Sequence, residues 1–133
     1  MENKAVIISK YEILTRCINR INEEYENNPE NLEDYRRLDC IVLNLQRACE
    51  VVIDVAMYAI SNRKLGIPQT KKEAFELLYK DNIRTKEMCD NLKNMVEFRY
   101  IVVHNYEEID NAVILDFIEN HLNDLIGFFK VFL

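Results

Sequence analysis

Apolar residues recur at helical spacing along nearly the whole chain. From Lys4 to Glu26 they fall at Ile7, Ile8, Tyr11, Leu14, Ile18, Ile21 and Tyr25, steps of three and four that make one stripe of an amphipathic helix. Asn27-Asn28-Pro29 ends it, since proline lacks the amide donor and disfavours helix in the residue before it. A second helix is predicted from Leu32 to Asn62. Its first half presents Leu38, Ile41, Val42 and Leu45 on one side. From Ala48 to Ile60 it is apolar nearly all round, interrupted by Glu50, Asp54 and the Tyr58 hydroxyl. A helix apolar on every side is buried on more than one face, so this one is expected at the centre of a bundle or against a second subunit. Asp54 in that run either orients a cationic site residue, or makes a structural salt bridge, or reaches solvent.

Arg63-Lys64, Gly66 and Pro68 close the second helix: basic residues suit its C-terminal dipole, and glycine and proline stop it. Thr70-Lys71-Lys72-Glu73 has the spacing of a capping box and opens a short helix to about Tyr79, anchored by Phe75 and Leu78. After a loop at Asp81-Asn82, a fourth helix begins near Thr85 with Met88, Leu92, Met95, Val96, Val102 and Val103 as its stripe. Asp110 reads as the N-cap of a last helix, Asn111 to Phe129, with Ile114, Phe117, Ile118, Leu122, Leu125, Ile126 and Phe129 on one face. His121 in that helix lacks any partner motif and reads as a surface residue. The pattern therefore predicts an all-α, antiparallel bundle of four long helices plus a short one.

The fourth helix carries the anomaly. With Met88 at zero and about 100° per residue, Met95 falls near −20°, Leu92 near +40° and Val102 near −40°. Arg99 falls near +20°, in the middle of the apolar stripe. A charge there is expensive unless it is paired or lines a site, although its stem can also snorkel to the surface. His104 would stand near +160°, facing away from Arg99. The two converge only if the helix ends before His104, or if a second copy supplies the partner at a two-fold axis.

Composition narrows the class. Two glycines and two prolines in 133 residues, 49% of them hydrophobic, suit long helices in a single domain over 1–133. The net charge is −6. After Tyr106, six acids stand against Lys130 alone, so that segment carries −5 and the first 106 residues only −1. This is not the footprint of a general nucleic-acid binder, although Arg36, Arg37, Arg47, Arg63, Lys64, Lys71 and Lys72 could supply a local basic face. The cysteines at 17, 40, 49 and 89 have no C-x-x-C or zinc spacing, so reduced, mostly buried thiols and a cytoplasmic location are expected. The N-terminus does not read as a signal peptide, and no apolar run reaches the length of a membrane span.

Several chemistries lack their residues here: there is no Gly-rich phosphate loop, no Glu-x-x-His pair for a di-iron bundle, and no Ser or Cys in a nucleophile motif. Neither a metal nor another cofactor is expected. Arg99, His104 and Tyr106, within eight residues, offer an always-charged cation, a group that titrates near neutrality and a phenol. That set suits metal-independent RNA cleavage. The 2′-hydroxyl is the nucleophile, histidine moves protons and arginine stabilises the crowded charge of the transition state.

Arg99-x4-His104-x-Tyr106 resembles the R-x4-H-x-Y motif of HEPN domains of the HepT type, toxins encoded beside a minimal nucleotidyltransferase (MNT) antitoxin. The stretch Leu45-Gln46-x-Ala48-x-Glu50, the turn Leu65-Gly66-x-Pro68, the exit Tyr106-x-x-Ile109-Asp110 and the helix order are similar to that family as well. The resemblance implies a homodimeric endoribonuclease with Arg99 and His104 catalytic at the dimer interface. It implies that the antitoxin adenylylates Tyr106 from ATP to silence the toxin. Asp54, Tyr100 and Asn105 would support the site. The family usually has asparagine directly after the arginine, where this chain has Tyr100. The other function such a chain could serve is a non-catalytic dimeric helical module that binds the nucleotidyltransferase or a nucleotide.

Overall fold

The computed structural model describes residues 3–105 and 108–133. Among them the helices are α1 (Lys4–Tyr25), α2 (Tyr35–Arg63), α3 (Lys71–Lys80), α4 (Lys86–Asn105), α5 (Asn111–Asn120) and α6 (Leu122–Phe129), with a 3-10 turn at Pro29–Glu33. The bundle is all-α, as its periodicity predicts. The local signals act as read. Thr70 Oγ1 accepts from Glu73 N at 3.1 Å to open α3. Asp110 accepts from Ala112 N at 2.9 Å to open α5. Each satisfies a donor that a helix start leaves unpaired.

Two boundaries differ from the sequence reading. The second helix begins at Tyr35 rather than Leu32, because Asp34 caps it through the amides of Arg36 and Arg37. Leu32 is instead buried on the 3-10 turn. The last helix is two. It breaks at His121, whose backbone (φ −121°, ψ −10°) leaves the helical region while its N–H still bonds Phe117 O. The break re-aims α6, and Leu125, Phe128 and Phe129 become fully buried. His121 is half-exposed between two carboxylates, Asp116 at 3.3 Å and Asp124 at 3.2 Å, with its ring against Phe117. It is a paired histidine at a helix junction, not a partnerless surface one.

α2 is the axis, packed against α1, α3, α4 and α6. Its core face includes Ile41, Leu45, Ala48, Val52, Ala56 and Ile60, all essentially inaccessible. Along its middle a narrow strip stays exposed at Leu43, Arg47, Asp54 and Met57. Asp54 lies on that strip with its side chain 61% exposed and Lys10 3.9 Å away. Within this chain it pairs with Lys10 rather than with Arg99, as the salt-bridge alternative has it. The basic residues also fail to gather on one face. Arg36 and Arg37 sit at one end of α2 and Arg63 and Lys64 at the other, about 40 Å apart at 1.5 Å per residue.

Two side-chain contacts fix α5 to its neighbours α4 and α1. Phe98 stacks on Phe117, with ring centroids 4.1 Å apart and planes within 7°. Tyr25 on α1 donates to Glu119 on α5 at 2.6 Å. All four cysteines are free, and three are buried. Among the described residues no helix is long and apolar enough to cross a membrane. Leu45→Ala on the axis is expected to destabilise the fold by about 2–5 kcal/mol through lost burial and a residual cavity, read as a lower midpoint in urea melts.

Candidate functional site

α4 positions the site. Thr85 Oγ1 accepts from Met88 N at 3.1 Å to start it. Cys89, Leu92, Met95, Phe98 and Val102 bury its inner face. Arg99 falls within that arc, and its side chain is only 21% exposed. It crosses to α2, where Nη2 donates to Glu50 Oε1 at 2.8 Å. Gln46, one turn earlier on α2, donates to the same oxygen at 3.3 Å. A buried guanidinium is thus neutralised and aimed by a carboxylate that is itself held. Arg99 Nε has no hydrogen-bond partner among the described residues.

The pair shifts Glu50. The hydrogen bond from Arg99 holds its carboxyl below the usual carboxylate range, against the opposing effect of burial. The Gln46 bond and the fields of Arg99 and Lys71 add to the depression. A carboxyl with a depressed folded pKa contributes stability in full above its unfolded pKa and loses it as pH falls through the folded value. The stability difference between wild type and Glu50→Gln is therefore expected to shrink as pH is lowered from about 6 to about 3, in denaturant melts at each pH.

His104 is exposed on the last turn of α4. Its ring lies 4.3 Å from that of Tyr100, tilted by 46°. Tyr100 is 60% exposed, and Asn105, the last residue of α4, is exposed as well. The helix does not end before His104. It runs through Asn105, so Arg99 and His104 leave it about 140° apart. One of the two routes by which they could meet within the sequence reading is closed, and a second copy is the route left. Tyr106 lies outside the described residues.

The structure thus brings together Arg99, Glu50 and Gln46 on one side of α4 and Tyr100 and His104 on the other. It leaves Asp54 apart. The residue that sequence reasoning passed over is Glu50. Both Glu50 and Asp54 interrupt the apolar run, and the usable signal was the Gln46–Glu50 spacing of four, which lets one side chain brace the other. Among the described residues no three His, Cys, Asp or Glu side chains gather where they could hold a metal ion.

Comparison with known proteins decides the family. The model of the family described as Ribonuclease HepT-like matches residues 14–132. The chain belongs to the HepT-like family. This HepT-like chain is 38% identical over 126 residues to the mRNA nuclease HepT of Shewanella oneidensis, covering 95% of each protein. Its fold matches the tri-AMPylated HEPN toxin of Shewanella oneidensis, solved in complex with an MNT antitoxin. The TM-score is 0.90 and the identity 37%, over 99% of this chain and 98% of that one. A toxin–antitoxin structure with AMP-PNP matches with a TM-score of 0.91 and 37% identity, over 96% of this chain and 97% of that one.

Proposed function

We propose that this HepT-like chain, acting as one HEPN-like domain, is an endoribonuclease toxin that works in the cytoplasm as a homodimer. It cleaves RNA without a metal at a composite site, and an MNT-type nucleotidyltransferase antitoxin silences it by adenylylating Tyr106. The observation that carries the reading is the mostly buried Arg99, held by Glu50 at 2.8 Å, five residues before an exposed His104 on the same unbroken helix. A mostly buried cation braced by a carboxylate is preorganised for a phosphate. It needs no reorganisation when charge develops there.

In the reaction the RNA 2′-oxygen attacks the adjacent phosphorus, and the bond to the 5′-oxygen breaks. The His104 of the other copy takes the 2′-hydroxyl proton and, as the imidazolium, returns a proton to the departing 5′-oxygen. The products are a 2′,3′-cyclic phosphate and a 5′-hydroxyl. Arg99 stabilises the charge on the non-bridging oxygens. The helix directs Arg99 and His104 about 140° apart, which supports pairing one chain's arginine with the other chain's histidine.

The test is cleavage of RNA by the purified dimer in the presence of a chelator. His104→Ala is expected to lower cleavage by about 10²–10⁴-fold, the range for a lost general acid–base, with the dimer intact by sedimentation. RNA left uncut by the wild type and by every variant would instead favour a non-catalytic module that binds the nucleotidyltransferase.

A further inference from the structure

Beside the Tyr100–His104 pair runs a groove of about 410 Å³, walled by Val96, Ile101 and Tyr100 on α4 and by Thr70, Lys71 and Lys72 at the start of α3. Its surfaces are mostly apolar carbon, and its rim is cationic. Lys72 is held by Glu97 across the groove. Lys71 is exposed and close enough to Glu50 to lower its pKa, so the groove adjoins the Arg99–Glu50 pair at one side. At the other it ends on Tyr100, 60% exposed, whose ring also meets His104. Tyr100 is thus shared between the groove and the contact with His104.

We infer that this groove is a nucleobase subsite, in which Tyr100 stacks on a base of the RNA next to the scissile phosphate. The inference rests on the ribonuclease reading above. Three observations favour a nucleotide over any other occupant. A flat aromatic ring stands exposed at the mouth of an apolar slot, the geometry on which bases stack. An ammonium, Lys71, stands where the backbone of a stacked nucleotide would pass. Tyr100 lies within about one helical turn of Arg99 and His104 on α4, the residues that would handle the phosphate. Tyr100 is then a positioning and specificity residue. It places the substrate and supplies no proton.

The test uses a 2′-O-methyl oligoribonucleotide, which cannot be cut, carrying a single 2-aminopurine at successive positions, together with cleavage kinetics on unmodified RNA. With the wild-type dimer, one position is expected to show strong fluorescence quenching. Tyr100→Ala should abolish that quenching and raise KM about tenfold, the scale of one lost base–aromatic stack, with kcat changed much less. Tyr100→Phe should restore both, because the ring and not the hydroxyl makes the stack. Wild-type quenching and KM in Tyr100→Ala would overturn the subsite, and so would its conversion to a monomer, which would make the groove a subunit contact. If no form of the protein cuts RNA, the catalytic reading fails. A quench that depends on Tyr100 would still uphold the subsite.

Discussion

Arg99→Ala is expected to lower RNA cleavage by about 10²–10³-fold, the loss seen when a preorganised donor to a developing oxyanion is removed. The loss should fall mainly on kcat, because the charge on the phosphoryl oxygens that Arg99 would meet grows in the transition state. The decisive version mixes two dead variants. If Arg99 of one chain works with His104 of the other, a dimer of one Arg99→Ala chain and one His104→Ala chain holds one complete site and one doubly defective site. Random exchange from equal amounts makes half of the dimers mixed, so roughly a quarter of wild-type activity should return, since the two-fold axis makes the two sites equivalent. Activity that stays at the level of the separate variants would mean that each site draws both residues from one chain, or needs both copies of each. The unbroken helix through Asn105 argues against the first of these.

That experiment exists because of what the sequence makes legible and what it does not. Arg99 stood out because periodicity alone places it inside an apolar stripe. The structure keeps it there, 21% exposed and paired. Periodicity cannot say which acid answers it. Glu50 and Asp54 are one turn apart on α2 and read alike in sequence, but a shift of one turn moves a side chain about 5.4 Å along the axis. Only one of them lies level with Arg99. Glu50 meets it, while Asp54 turns to Lys10 on α1. The break at His121 was hidden for a related reason. The apolar stripe runs through it without a proline, and the single glycine near it, Gly127, lies inside α6. What bends the chain there is packing of the phenylalanines of α6 into the core, a tertiary effect. Caps at Thr70 and Asp110 were readable because a cap is local, satisfied by amides two or three residues away. Tyr100 was visible only as a departure from the family pattern, and its neighbours on α3 come from a different part of the chain.

Co-expression with an MNT-type nucleotidyltransferase is expected to add one or more AMP units to the chain, mapped by peptide mass spectrometry to Tyr106, and to remove RNA cleavage. The phenol oxygen would attack the α-phosphorus of ATP, forming a phosphodiester and releasing pyrophosphate. Each AMP placed two residues beyond His104 brings a permanent negative charge and a purine. A phosphodiester there would compete with the RNA backbone for Arg99, the cation set aside for phosphate, with the strength of a charge-assisted bond. Two outcomes are linked by this account. Tyr106→Phe should take up no AMP, and it should remain an active ribonuclease in the presence of the antitoxin. An unmodified, inhibited wild type that co-purifies with the antitoxin would assign silencing to contact alone. An AMP-bearing protein that still cuts RNA at the wild-type rate would separate the modification from the site altogether. Because the inhibition is electrostatic in origin, any residual cleavage by the modified toxin should respond to salt less steeply than that of the free one, the added phosphate having replaced part of the anion that RNA would bring.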